Sequence, residues 1–180
     1  MRKALTSFGV LCLGLALVAT ACSAQQDKSK RPSPPAKATF DLGGGKSITV
    51  EYSSPRAKGR KIFGDVVPYG KVWRTGANEA TTFVTTADLT VGGTSVPAGT
   101  YSIFSVPNSE KWALIISKKV PGWGTDYPGE ANDLARIDMK VSALSSPVEN
   151  FTISFEKTAT GANMNLEWER TRASVAIAKK

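Results

Sequence analysis

Histidine is absent from all 180 residues, and cysteine occurs only twice, as Cys12 and Cys22. The first absence excludes histidine-based triads. The scarcity of thiols, taken with it, excludes ordinary zinc sites and leaves no disulfide framework for the folded part. No Asp-rich calcium loop is present. No cofactor or metal is expected, and any chemistry would rest on carboxylates, Ser, Thr, Lys or Tyr. Also missing is a strongly apolar run of the roughly 20 residues that a transmembrane helix needs. The net charge is +8, a balance that suits nucleic acid, anionic lipid or polyanionic sugar. No RNA- or DNA-binding motif accompanies it, so nucleic acid is not an expected partner.

What is there begins with an export signal. Met1-Arg2-Lys3 is a short positive start, Leu5 to Ala21 is apolar or small, and Ala19-Thr20-Ala21 precedes Cys22. That order predicts a signal peptide over residues 1–21. Val18-Ala19-Thr20-Ala21-Cys22 resembles a bacterial lipobox, although Ala19 stands where Leu is preferred. The resemblance implies acyl chains on Cys22 and a membrane partner through that anchor. Ser23 after the Cys leans towards the outer membrane, facing the periplasm. The same Ala-x-Ala also suits a cut that would release a soluble periplasmic or secreted chain. Residues 22–37 carry three Pro and four Lys or Arg among small polar residues. They are expected to form a disordered tether, with a single domain over residues 38–180.

That domain reads as β throughout. Ser47–Tyr52, Ala80–Thr86, Thr100–Val106 and Lys111–Ser117 are rich in β-branched and aromatic residues, and Gly92-Gly93 marks a tight hairpin. Further on, Ile137/Met139/Val141, Phe151/Ile153/Phe155 and Met164/Leu166/Trp168 alternate with polar residues. Alternation means one buried and one wet face. About nine short strands without a long helix predict an antiparallel β-sandwich or a jelly-roll-like barrel.

Two irregular stretches interrupt the pattern, residues 53–78 and 118–132. Long loops in a compact domain are uncommon and often functional. The first holds Ser54-Pro55-Arg56-x-Lys58-Gly59-Arg60 and the run Val67-Pro68-Tyr69-Gly70-x-x-Trp73-Arg74-Thr75-Gly76-Ala77-Asn78-Glu79-Ala80-Thr81. Together with Pro97-Ala98-Gly99-Thr100-Tyr101-Ser102 and Trp123-Gly124, this resembles domain-of-unknown-function family 2911, exported bacterial proteins of which many are lipoproteins. The resemblance covers roughly residues 39–178. It implies a β-rich fold and no assigned activity, and it brings no catalytic or binding residues with it.

The residues themselves suggest a site. Arg56, Arg60 and Arg74 offer planar forks for carboxylate or phosphate. Tyr69, Trp73, Trp123 and Tyr127 offer flat faces, and Asn78 and Glu79 add polar groups. An anionic saccharide, a peptidoglycan fragment or a peptide is the expected ligand class for an envelope-anchored, non-enzymatic binding module. Structural roles for the same residues stay open: Arg74 paired to Glu79 or Asp65, and Trp73 in the core. Two alternatives remain. One is a carboxylate hydrolase built on Glu79 with an acid such as Asp126. The other is a structural lipoprotein that acts through protein partners.

Overall fold

The computed structural model describes residues 27–120 and 122–180. The expected signal peptide and Cys22 lie outside them. Among the described residues, no helix is long and apolar enough to cross a membrane.

Nine strands form one antiparallel sheet: β1 (Pro35–Gly43), β2 (Lys46–Ser53), β3 (Thr82–Thr85), β4 (Leu89–Val91), β5 (Thr94–Val96), β6 (Gly99–Val106), β7 (Lys111–Ser117), β8 (Asp133–Thr158) and β9 (Gly161–Lys179). Their order across the sheet is β1-β2-β3-β6-β7-β8-β9-β4-β5. The β4–β5 turn is Gly92-Gly93, with φ of 53° and 86°. Both values are left-handed, as a two-residue hairpin turn requires.

The expected all-β antiparallel architecture is therefore what the chain adopts, and the open sheet folds over to make a sandwich. The fold-over happens inside β8 and β9. Their pairing is irregular between Ala143 and Val148 and again between Val148 and Thr152, and such irregularities bend a strand. The proximal half of β8 stays on β7, while its distal half faces the β1–β2 end. There the Phe40 and Phe155 rings stand 5.8 Å apart, and the Ile153 amide donates to the Tyr52 hydroxyl at 3.0 Å. Segments that read as separate short strands are thus two long bent ones.

Between the layers sits an aromatic core. Phe63 contacts Trp112 at 4.7 Å, and Trp73 contacts Phe151 at 4.9 Å. Trp112, Phe151 and Trp168 are almost fully buried, each contributing on the order of 2–3 kcal/mol of hydrophobic stabilisation.

The alternation read in the C-terminal segments does not extend to the middle of the sheet: Tyr101–Ser105 of β6 and Leu114–Ser117 of β7 are buried without a break. Ile103, Leu114 and Ile116 face the main core. Phe104 and Ile115, also buried, point the other way. Loop 118–132 covers that outer face, with Tyr127 against Phe104 at 5.1 Å.

One expectation needs correction, that of a disordered tether over residues 22–37, of which residues 27–37 are described. Residues 27–37 are laid onto the domain and do not run free of it. A 3-10 turn spans Lys28–Lys30, and β1 starts at Pro35. Arg31 and Lys28 both reach Glu79, at 2.8 and 2.9 Å. The segment has little apolar surface of its own, but it finds a carboxylate and a free sheet edge.

Candidate functional site

Loop 54–81 is stitched down along its length. The Ala57 amide donates to the Glu149 carbonyl at 2.8 Å, and the Phe151 amide donates to the Pro55 carbonyl at 2.9 Å. Both bonds use the bend of β8. Farther on, Trp73 exchanges two backbone bonds with Ser105, at 2.7 and 2.9 Å. It thus lies beside β6 where β3 has not yet begun.

The next residues turn sharply. Thr75 is fully buried with φ 51°, a left-handed conformation that is rare for a β-branched residue and costs on the order of 1–3 kcal/mol. Its hydroxyl donates to Ser105 Oγ at 2.9 Å, and its carbonyl accepts from the Thr81 hydroxyl at 2.9 Å. Strain of this kind persists only where the surroundings over-determine it. Here it aims Arg74 away from the core.

The second loop meets this turn. The Gly124 amide donates to the Asn78 carbonyl at 2.9 Å. A Cβ on Gly124 would sit 2.7 Å from Arg74 Cδ, so only glycine allows so close an approach. Between the loops opens a cavity of about 440 Å³, within the size range of small-molecule sites.

Four of the nine sequence-predicted residues line it: Arg60, Trp73, Arg74 and Tyr127. Trp168 and Phe104 complete its apolar walls. The Trp73 and Trp168 rings are stacked, with centroids 5.9 Å apart and planes inclined by 18°. No carboxylate is among the lining residues. The two guanidinium groups differ. Arg60 is tied to the Ala57 and Arg56 carbonyls at 3.0 and 2.8 Å. Arg74 donates no hydrogen bond and pairs with no acid among the described residues, so neither Glu79 nor Asp65 is its partner.

The polar ends of two of the aromatics, Trp168 and Tyr127, are already engaged. Trp168 Nε1 donates to the Glu149 carbonyl at 3.1 Å. The Tyr127 hydroxyl donates to Asp133 at 2.9 Å and accepts from Arg136 at 2.8 Å. Burial first, and then the Asp133 carboxylate, push its pKa up. The aromatics thus present faces, and the charge comes from arginine.

The other five candidates stand elsewhere. Arg56 lies in a shallow depression beside the cavity, with its guanidinium on Ser54 Oγ at 2.9 Å. Asn78, at φ 57°, holds the Ser33 carbonyl at 3.0 Å and so clips the N-terminal segment in place. The hydrogen bonds from Lys28 and Arg31 lower the Glu79 pKa to about 2. A general acid needs the opposite shift, and Glu79 does not line the cavity. Tyr69 and Trp123 are exposed and outside it. Phe104 and Trp168 were not legible as lining residues, because in sequence both are simply strand hydrophobics.

Fold and site together define an all-β sandwich domain with a cationic, aromatic-walled cavity between two long loops. The chain belongs to the family described as protein of unknown function (DUF2911), whose family model matches residues 33–177. No curated protein and no solved structure matches it.

Proposed function

We propose that this chain is a non-enzymatic binding module of the bacterial cell envelope, exported by residues 1–21 and anchored by acyl chains on Cys22 in the outer membrane. Its cavity takes an anionic ligand that carries a flat or ring-shaped body, the class to which acidic saccharides, peptidoglycan fragments and some peptides belong. The observation that carries this reading is Arg74. It is a guanidinium without a hydrogen-bond or ion partner among the described residues, on a strained turn at the wall of an aromatic cavity whose lining holds no carboxylate. An unpaired charge beside apolar walls is unfavourable on its own and favourable with an anion present. The half-buried rings of Trp73 and Tyr127 are the ones left for stacking, the Tyr127 hydroxyl being already engaged.

Titration of the exported chain with soluble peptidoglycan fragments and acidic oligosaccharides, followed by calorimetry, tests the reading. A saturable signal should weaken roughly tenfold or more in Arg74→Gln, the worth of a charge-assisted hydrogen bond. Absence of binding across these classes, or binding unchanged in Arg74→Gln, counts against it.

A further inference from the structure

The large hydrophobic side chains that stay exposed are confined to the two loops. They are Val66, Tyr69 and Val72 on one and Val120 and Trp123 on the other, each 39–46% exposed. Everywhere else, among the described residues, the large apolar side chains are at least partly buried. Val66 and Val72 stand at the cavity itself, and Trp123 precedes Gly124, which also lines it. Val66, Val72 and Trp123 are thus placed at one region, with Tyr69 and Val120 on the same two loops. Exposed apolar side chains gathered in this way mark an interaction face.

The charge around it is one-sided. Loops 53–78 and 118–132 carry eight basic side chains against three carboxylates, Asp65, Asp126 and Glu130. Lys61, Lys71, Lys118 and Lys119 are all exposed, and they alternate in sequence with the apolar residues. A protein partner would be expected to leave a flatter, less basic centre. Apolar tips among lysines suit an anionic lipid surface, where the chains enter the interface and the ammonium groups stay at headgroup level.

The course of the N-terminal segment agrees. Ser33 lines the cavity and is held by Asn78. Asp27 and Lys28 lie a few residues before it, beside Glu79. From Asp27 back to Cys22 the chain can span at most roughly 18 Å. Anything fixed at Cys22 is thus leashed within that reach of Asp27, on the segment that runs on to the cavity at Ser33.

We propose that the exposed side chains of Val66, Tyr69, Val72, Val120 and Trp123 dock on an anionic bilayer, on their own and independently of any acyl group. The cavity then opens at the membrane surface. Their contribution stands whether or not the cavity takes a soluble ligand.

The test uses the exported chain with Cys22→Ser, so that no acyl chain takes part. It is floated with vesicles of phosphatidylglycerol mixed with phosphatidylcholine, and with pure phosphatidylcholine. Binding should favour the anionic vesicles by roughly tenfold or more and fall as salt is added. Lys118→Gln/Lys119→Gln should weaken it roughly tenfold, and Val120→Ser/Trp123→Ser by a similar factor. Trp123→Leu should keep most of the binding but lose the emission quenching caused by brominated lipid chains. All these positions are exposed, so circular dichroism and the melting temperature should not change. Val120 and Trp123 do not line the cavity, and titration of that double variant with soluble ligand separates failure of docking from failure of the cavity. Absence of vesicle binding overturns the proposal, and so does equal binding to both compositions. A dimer in sedimentation velocity that Val120→Ser/Trp123→Ser abolishes also overturns it, because these side chains would then form an interface between two copies.

Discussion

Thr75 and the arginine before it show how one residue's geometry separates function from scaffold. A buried Thr at φ 51° adds no stability of its own, and its neighbour gains exposure to a cavity with no ion partner. Arg60, by contrast, is tied to two backbone carbonyls. Arg74→Gln should therefore leave stability within about 0.5 kcal/mol of the parent, while Arg60→Ala should lose about 1 kcal/mol. Denaturant titration of the two variants checks this. A large loss in Arg74→Gln would mean that the side chain is structural after all. The Trp73-Arg74 pair was legible as a candidate because an anion-gripping fork and a flat ring stand side by side in a long irregular loop. Asn78 and Glu79 looked equally suggestive in sequence. Their actual partners, Ser33, Lys28 and Arg31, lie far away along the chain in a segment with no obvious reason to fold back.

At the scale of elements, β1 and the residues before it are the clearest departure from the sequence reading. Pro35–Gly43 alternates exposed and half-buried positions along its whole length. It contains Pro, Lys, Asp and Gly, and its only long apolar residues, Phe40 and Leu42, come late. Local propensity for a strand is weak there, and the free edge of β2 supplies the missing hydrogen bonds. What locks the segment ahead of it is Glu79. Its folded-state pKa of about 2 lies below its ordinary value of 4.5. The attachment is therefore fully present above pH 4.5 and is lost as the pH falls from there towards 2. Amide exchange over residues 28–34 should accelerate across that window at constant native fold. In Glu79→Gln, exchange should be fast already at pH 7 and no longer vary across the window beyond its intrinsic pH dependence. Unchanged exchange in the variant would show that the bonds to the Ser33 and Pro34 carbonyls, from Asn78 and the Ser54 amide, hold the segment without Glu79.

The whole molecule has a different dependence. Its sheet joins β3 to β6 and β9 to β4, neighbours distant in sequence, and neither cysteine lies within residues 27–180. Stability must then come from the core alone. Thermal unfolding of the folded domain should be a single transition that reductant does not move, and refolding should take milliseconds to seconds, as expected for non-local β topology. A reductant-sensitive melting temperature would contradict that account.

By itself the sequence determined the class of fold and the family, because alternation, turn residues and the Trp-Arg-Thr-Gly-Ala-Asn run are local patterns. It also closed off histidine and thiol chemistry by omission. Only the tertiary structure decided which faces of β6 and β7 are covered, that β8 and β9 bend rather than end, and that four of nine candidate residues share one cavity. Those outcomes depend on contacts between segments far apart in the chain. Arg60 and Tyr127 meet at one cavity because the two loops touch through Gly124 and Asn78, and no local pattern encodes that meeting.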